Sequence, residues 1–218
     1  MQKKMKVAIW SDVMCPYCYI GKRKFEAALK DLAQKDSIEV EWKSFQLNPS
    51  LEYQPGVNSY DYLARIKGKN REWSEMVHDN LARMAQSFGL DYRFSQTKIT
   101  NSFDAHRVIQ LSKKYGRSNE MEELLFKAYF TDGELISDHA TLIRLAKKAG
   151  LPEEEVALTL ETNQYSEEVH QEMAEARRLG TSGVPFFVFD RKYAIVGAQD
   201  STVFKDALEK ALKGWNNK

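Results

Sequence analysis

The chain lacks any apolar run long enough to cross a membrane. A spanning helix needs about 18 or more apolar residues in succession, whereas Val7 to Trp10 stops at Ser11-Asp12 and Phe186-Phe187-Val188-Phe189 stops at Asp190. Cysteine is almost absent, with two residues in 218. That excludes the multi-disulfide framework of small secreted domains, and a chain of this length buries a core without one. An excess of either charge is missing too, with 32 basic against 31 acidic residues and a net charge of +1. No global field therefore draws the chain to nucleic acid or to an anionic membrane. Short basic runs such as Lys22-Arg23-Lys24 and Arg177-Arg178 are expected to be solvated helix faces. Histidines are few and scattered singly at 78, 106, 139 and 170, with none of the close His-His spacing that completes a tetrahedral zinc site beside a cysteine pair. No metal is expected. The basic segment Met1 to Lys6 precedes an apolar run too short for the h-region of a secretory signal, so a cytoplasmic setting is the expectation.

What the chain does have is Cys15-Pro16-Tyr17-Cys18, which holds both cysteines between an apolar run and a helical pattern beginning near Tyr19. Thiols three residues apart at a helix start can face each other, and the unpaired N–H groups and dipole of the helix terminus favour a thiolate on the first. Thiol-disulfide exchange needs an exposed attacking thiolate and a second thiol near enough to resolve the mixed disulfide. Cys15 is placed to attack and is expected to be partly exposed. Cys18, packed under the helix, is placed to resolve. Half of a zinc site and a pair of inert buried thiols are the competing readings, and Pro16 with the strand-to-helix placement argues against the second.

Met5 to Trp10 is apolar apart from Lys6, as in a strand covered on both faces in the middle of a sheet. Pro16 suits a first helical turn, and Ile20, Phe25, Ala28, Leu29 and Leu32 recur at helical spacing. Ile38 to Trp42 alternates like a half-exposed or edge strand. Residues 5–45 thus form a β-α-β unit with Cys15 at the first strand-to-helix turn, its crossover right-handed. After Asn48-Pro49 nearly every segment is helical, with helices predicted over 59–67, 71–88, 101–115, 118–130, 138–149, 152–162 and 166–179. Gly89, Gly116, Gly133, Gly150 and Gly180 serve as stop signals. Strands return at Phe186 to Phe189 and Tyr193 to Val196, a hairpin across Asp190-Arg191-Lys192, followed by a helix from Ser201 to Lys213. The fold class is α/β: one mixed sheet, β-α-β then β-β-α, divided between residues 1–48 and 180–218, with an all-helical insertion at 49–179.

Gly183-Val184-Pro185 precedes the returning strand. A proline is tolerated at a strand's first residue, and with about 5–6% of X-Pro bonds cis the dipeptide alone does not decide its isomer. Cys-Pro-Tyr-Cys after the first strand and Gly-Val-Pro before a hairpin and terminal helix together resemble the thioredoxin superfamily in its DsbA-like branch, which the helical block marks. The segments Trp10 to Gly21, Asn101 to Arg107, Ala128-Tyr129-Phe130 with Ile136 and Asp138, and Gly183 to Phe189 with Gly197-Ala198-Gln199 resemble the FrnE-type members. The resemblance implies a thioredoxin-like fold and a protein disulfide oxidoreductase or isomerase. It further implies Cys15 as nucleophile, Cys18 as resolver, Pro185 cis against the cysteine pair, and Val184 backbone, Pro16 and Tyr17 as substrate-binding elements.

Substrates would be thiols or disulfides of proteins or small molecules, with no cofactor beyond glutathione as a reductant, and a homodimer is compatible with it. The Pro-Tyr dipeptide matches many glutaredoxins, not the Pro-His of periplasmic DsbA. The potential implied is more reducing than about −120 mV, nearer roughly −200 to −230 mV. The alternative is a glutathione-dependent isomerase or transferase of the 2-hydroxychromene-2-carboxylate isomerase or kappa-class type, relatives that carry serine where Cys15 stands. Asn101 and His106 are candidates for a substrate pocket; the competing explanation is that Asn101 caps the helix starting at Ser102 and His106 packs within it.

Overall fold

The computed structural model describes residues 3 to 216. The chain divides into two compact units, one drawn from Met1–Leu47 and His170–Lys218, the other spanning Asn48–Val169.

In the first unit a four-stranded sheet has the order β2-β1-β3-β4, from β1 (Met5–Ser11), β2 (Ile38–Ser44), β3 (Phe186–Phe189) and β4 (Tyr193–Val196). β1 pairs parallel with β2, with Val7 opposite Val40, and antiparallel with β3, with Trp10 opposite Phe186. β3 and β4 form the antiparallel hairpin, turned by Asp190 and Arg191 at positive φ. The continuous apolar run is therefore the inner strand and the alternating one an edge, as their patterns require.

Alternation along β1 sends its side chains to two cores. Met5, Val7 and Ile9 meet Phe187 and Phe189 of β3, together with Phe25, Ala28 and Leu32 and with Phe204, Leu208, Ala211 and Leu212. Phe25 and Ala28 belong to α1 (Pro16–Lys30), and Phe204 to Leu212 to α9 (Ser201–Asn216); their three- and four-residue spacing makes one apolar stripe on each helix. Phe25 anchors this face, its ring 5.6 Å from that of Phe187 and 5.9 Å from that of Phe204. Truncating such a ring costs about 3–5 kcal/mol. On the other face Trp10, Phe186 and Val188 pack with Phe45 and Ala176, the last from α8 (Ser166–Arg178). There the indole N–H of Trp10 donates to the Glu172 carbonyl at 2.8 Å, and the outward N–H of Ser44 on edge strand β2 donates to the Glu172 carboxylate at 2.7 Å. That carboxylate closes the edge at one of the positions where an unpaired N–H would recruit another strand. A short 3₁₀ turn, Lys35–Ser37, leads into β2.

α1 begins at Pro16, whose missing N–H is no loss at the first position, as its suitability for a first turn leads one to expect. One expectation changes here. Lys22 and Lys24 are buried, not solvated. Lys24 donates to the Ala198 carbonyl at 3.1 Å and to Asp200 at 3.0 Å, and Lys22 pairs with Glu26 one turn on. Their ammonium groups follow partners, which a charge pattern along one helix does not reveal.

The second unit is helical: α2 (Ser59–Lys67), α3 (Arg71–Gln86), α4 (Phe103–Lys114), α5 (Ser118–Phe130), α6 (His139–Lys148) and α7 (Glu153–Glu161), with the first turn of α8. Asn58, Asn70 and Asp138 cap α2, α3 and α6 by accepting from Asp61, Trp73 and Thr141 N–H. α3 ends at Gln86, two residues early, because Gly89 at positive φ and the Leu90 N–H to Ala85 carbonyl bond close its last turn. No helix among the described residues is long and apolar enough to cross a membrane.

Candidate functional site

β1 ends at Ser11, and four residues later the chain turns into α1. Cys15 is the N-cap of that helix, with extended backbone, and Pro16 takes its first position. The turn is held by Cys15 N–H to the Asp12 carbonyl at 2.8 Å and Cys18 N–H to the Cys15 carbonyl at 3.0 Å. Asp12, only 2% exposed, ties it from within: its two carboxylate oxygens accept from Met14 N–H at 3.1 Å and from Leu47 N–H at 2.8 Å. One side chain thus fixes both the turn before Cys15 and the chain leaving β2.

The Cys15 thiol points to the Val184 carbonyl at 3.6 Å, and the Val184-Pro185 peptide is cis. Thr181 orders the approach to this dipeptide, its hydroxyl bonded to the carbonyl and N–H of Gly183 at 2.8 and 3.3 Å. Gly197 N–H, donating to the Pro185 carbonyl at 2.8 Å, holds its far side. Gly21 on α1 completes the fit, because a Cβ there would stand 3.0 Å from the Pro185 ring and 3.5 Å from Ala198 and Phe187. A glycine brings the helix up against the proline where a larger residue would hold them apart.

Cys15 and Cys18 are free thiols and both are buried, at 4% and 1% exposure. The expected partial exposure of Cys15 is thus replaced by near-complete burial, because its sulfur turns inward to Val184 while Tyr17, 46% exposed, carries the surface of the turn. Burial pushes the Cys18 thiol well above its ordinary value; the hydrogen bond and the electrostatic influence of neighbouring Cys15 push it further. The Asp12 backbone N–H and the Ser11 hydroxyl pull it back in part. The balance holds Cys18 protonated.

The structure brings Cys15, Cys18, Pro16, Tyr17, Val184 and Pro185 together in the first unit. Asn101 and His106 belong to the second. The Asn101 amide donates to the Pro49 and Leu51 carbonyls at 3.1 and 2.6 Å and its oxygen accepts from Phe103 N–H at 2.8 Å, so α4 starts there and not at residue 101. His106 is fully buried within α4. Asp12, Ser11, Gly21 and Thr181 are site residues that sequence reasoning did not single out. Only Asp12 offered a signal, as a short acceptor just before a helix start. Among the described residues no three His, Cys, Asp or Glu side chains are grouped to hold a metal ion.

Comparison with known proteins accords with this geometry. The DSBA-like thioredoxin domain matches residues 6–209. The uncharacterised protein YwbO of Bacillus subtilis (strain 168) is 28% identical over 209 residues, spanning 95% of this chain and 97% of that protein. Among solved structures, a probable DsbA oxidoreductase of Streptomyces coelicolor is 37% identical with a TM-score of 0.91, covering 96% of this chain and 90% of the other. A 2-hydroxychromene-2-carboxylate isomerase is 17% identical with a TM-score of 0.72, covering 98% of each chain; at that identity the likeness is one of fold.

Proposed function

The chain belongs to the DSBA-like thioredoxin domain family, and from that premise we propose that it is a thiol-disulfide oxidoreductase of the FrnE-like kind, with Cys15 as attacking and Cys18 as resolving thiol. The observation that carries this reading is the placement of the pair: Cys15 caps the helix and faces the Val184 carbonyl next to cis Pro185, and Cys18 lies buried within the first turn behind it.

The exchange balances as follows. The Cys15 thiolate attacks one sulfur of a substrate disulfide, forming a mixed disulfide and releasing the other sulfur as a thiolate that takes a proton from solvent. Cys18 gives up its proton to solvent and attacks the Cys15 sulfur, closing the Cys15–Cys18 disulfide. The remaining substrate sulfur leaves and is protonated. Two electrons pass from the dithiol to the substrate, and a thiol reductant such as glutathione restores them. Run backwards, the same steps oxidise a substrate dithiol. Val184 backbone, Pro16 and Tyr17 form the proposed substrate contacts, and reading main chain suits protein disulfides of varied sequence. A reducing, cytoplasmic setting fits a lone cysteine pair of this kind.

The test is insulin reduction driven by dithiothreitol, expected to be lost with Cys15→Ser, together with Cys18→Ala, expected to accumulate mixed disulfides at Cys15 that mass spectrometry identifies. Full reductase activity in Cys15→Ser overturns the proposal. Glutathione-dependent turnover of a small aromatic substrate that survives Cys18→Ala would assign the isomerase or transferase chemistry instead, since that needs no resolving thiol.

A further inference from the structure

Residues 197–200 join β4 to α9, and this short segment touches both the cis peptide and the helix that Cys15 caps. Gly197 N–H donates to the Pro185 carbonyl at 2.8 Å. The Ala198 Cβ lies 3.5 Å from the point where a Cβ on Gly21 would stand, a point itself 3.0 Å from the Pro185 ring. The Asp200 carbonyl accepts from Val203 and Phe204 N–H at 3.0 and 3.3 Å and so opens α9. From α1, one turn beyond Gly21, Lys24 donates to the Ala198 carbonyl at 3.1 Å and to the Asp200 carboxylate at 3.0 Å. Lys24 is buried, and taking an ammonium out of water is costly unless it is well paired. The Asp200 carboxylate offsets little of that cost, because it is 82% exposed and an exposed partner is screened. An apolar side chain of the same length would pack α1 against the segment without desolvating a charge. What the ammonium adds is direction, since its bond forms only when the Ala198 carbonyl stands in one place.

We propose that Lys24 is a positioning residue for substrate docking. From the helix that carries Cys15 it fixes Ala198, and through neighbouring Gly197 it fixes the Pro185 carbonyl, so that the Val184-Pro185 edge is held beside the Cys15 sulfur that faces it at 3.6 Å. Lys24 takes no part in the exchange of bonds, protons or electrons. The inference rests on the proposed roles of Cys15 as attacking thiol and of the Val184 backbone as a substrate contact.

An edge held in one place pairs with an extended segment without first being ordered. Where only a fraction of the molecules holds the competent arrangement, apparent affinity falls by that fraction. Losing a hydrogen bond from a charged donor corresponds to about tenfold in such an equilibrium, so docking of a peptide main chain should weaken by that factor. A small disulfide with no main chain to dock should not feel the change.

The experiment oxidises the reduced full chain with two reagents: a pair of short unstructured peptides joined by a disulfide, and hydroxyethyl disulfide, which is uncharged and has no peptide backbone. Remaining thiols are alkylated at timed intervals and the protein is weighed by mass spectrometry. Lys24→Met keeps the stem and removes the donor, whereas Lys24→Gln keeps a neutral donor. In Lys24→Met the second-order rate with the peptide disulfide is expected to fall about tenfold, while the rate with the small disulfide stays within about twofold of wild type. Lys24→Gln is expected to fall between Lys24→Met and wild type on the peptide and to match wild type on the small reagent. A peptide rate in Lys24→Met within about twofold of wild type overturns the inference, as does an equal fall with both reagents, the mark of general damage to α1. If Lys24→Met does not fold, the ratio of the two rates in Lys24→Gln decides, and a ratio equal to that of wild type overturns it. A wild-type protein that the peptide disulfide does not oxidise would instead overturn the oxidoreductase reading on which the inference rests.

Discussion

Asp12→Ala should lower the thermal stability of the reduced protein by about 4–8 °C. The carboxylate accepts two backbone N–H groups, from Leu47 at 2.8 Å and from Met14 at 3.1 Å, and a hydrogen bond to a charged acceptor is worth about 1.5–3 kcal/mol net. Two terms reduce the sum. Leu47 is 51% exposed, so water can reach the N–H left behind, and removing Asp12 also relieves the desolvation of a carboxylate that is itself 2% exposed. The net loss is about 2 kcal/mol, and in a chain of this size each kcal/mol moves Tm by about 2–4 °C. Asp12→Asn keeps an acceptor oxygen for one of the two N–H groups, so it should lose about half as much. The assay is thermal unfolding of wild type and both variants in reductant, followed by circular dichroism. A Tm within about 1 °C of wild type for Asp12→Ala would refute the idea that this carboxylate holds the turn together. An Asn variant as damaged as the Ala variant would show that charge, and not acceptor geometry, is what the site uses.

Three further outcomes follow from individual groups. Because Cys18 is held protonated in the folded dithiol, the folded state binds that proton more tightly than the unfolded chain. Stability conferred this way is complete below the ordinary thiol range and falls as pH rises through it, by up to about 1.4 kcal/mol per pH unit; denaturant titrations of Cys18→Ala should lack that slope, and an unchanged slope would refute the assignment. His78 is held below its usual range, mainly by burial, its ring edge-on to Tyr60 and Phe94 and its Nδ1–H bonded to the Ser74 carbonyl at 2.7 Å. Its contribution is present above the ordinary histidine range and lost as pH falls through it, so His78→Phe should flatten the acid limb of a Tm-against-pH curve; an equally steep limb would count against it. Gly133→Ala forces a side chain onto positive φ and sets its Cβ 2.7 Å from Gln96 Cβ and 2.9 Å from the Gln96 carbonyl oxygen, so urea unfolding should show a loss of about 3 kcal/mol; a loss under about 1 kcal/mol would mean the turn yields easily.

The fold was readable wherever a local pattern had a single physical solution. An apolar run broken only by Lys6 had to be an inner strand, and it is, between β2 and β3. The alternation of Ile38, Val40 and Trp42 fitted a half-exposed or edge strand, and β2 is an edge. The return of strand signal at Phe186 had to rejoin the first sheet, because neither terminal piece could bury its apolar faces alone, and Phe187 and Phe189 do pack with Val7 and Ile9. The pattern was silent where a group's environment depends on residues far along the chain. Lys24 reads as a solvated cation on α1, yet its partners are 174 and 176 residues away. Charge periodicity reports only what a helix could expose, and burial is decided by what arrives to bond it.

The candidate site divides along the same line. Cys15, Cys18 and Pro185 are chemically rare, and two short motifs were enough to mark them. The residues that shape their chemistry are common types whose meaning is positional. Gly21 reads as a weak point in a helix until Pro185 is set against it. Asp12 joins the two cases, because its local acceptor role before a helix was inferable whereas its bond to Leu47, 35 residues away, was not. β1, an inner strand of the sheet, ends at Ser11, and Asp12 follows it directly, so the turn that carries Cys15 is anchored to the core of the first unit.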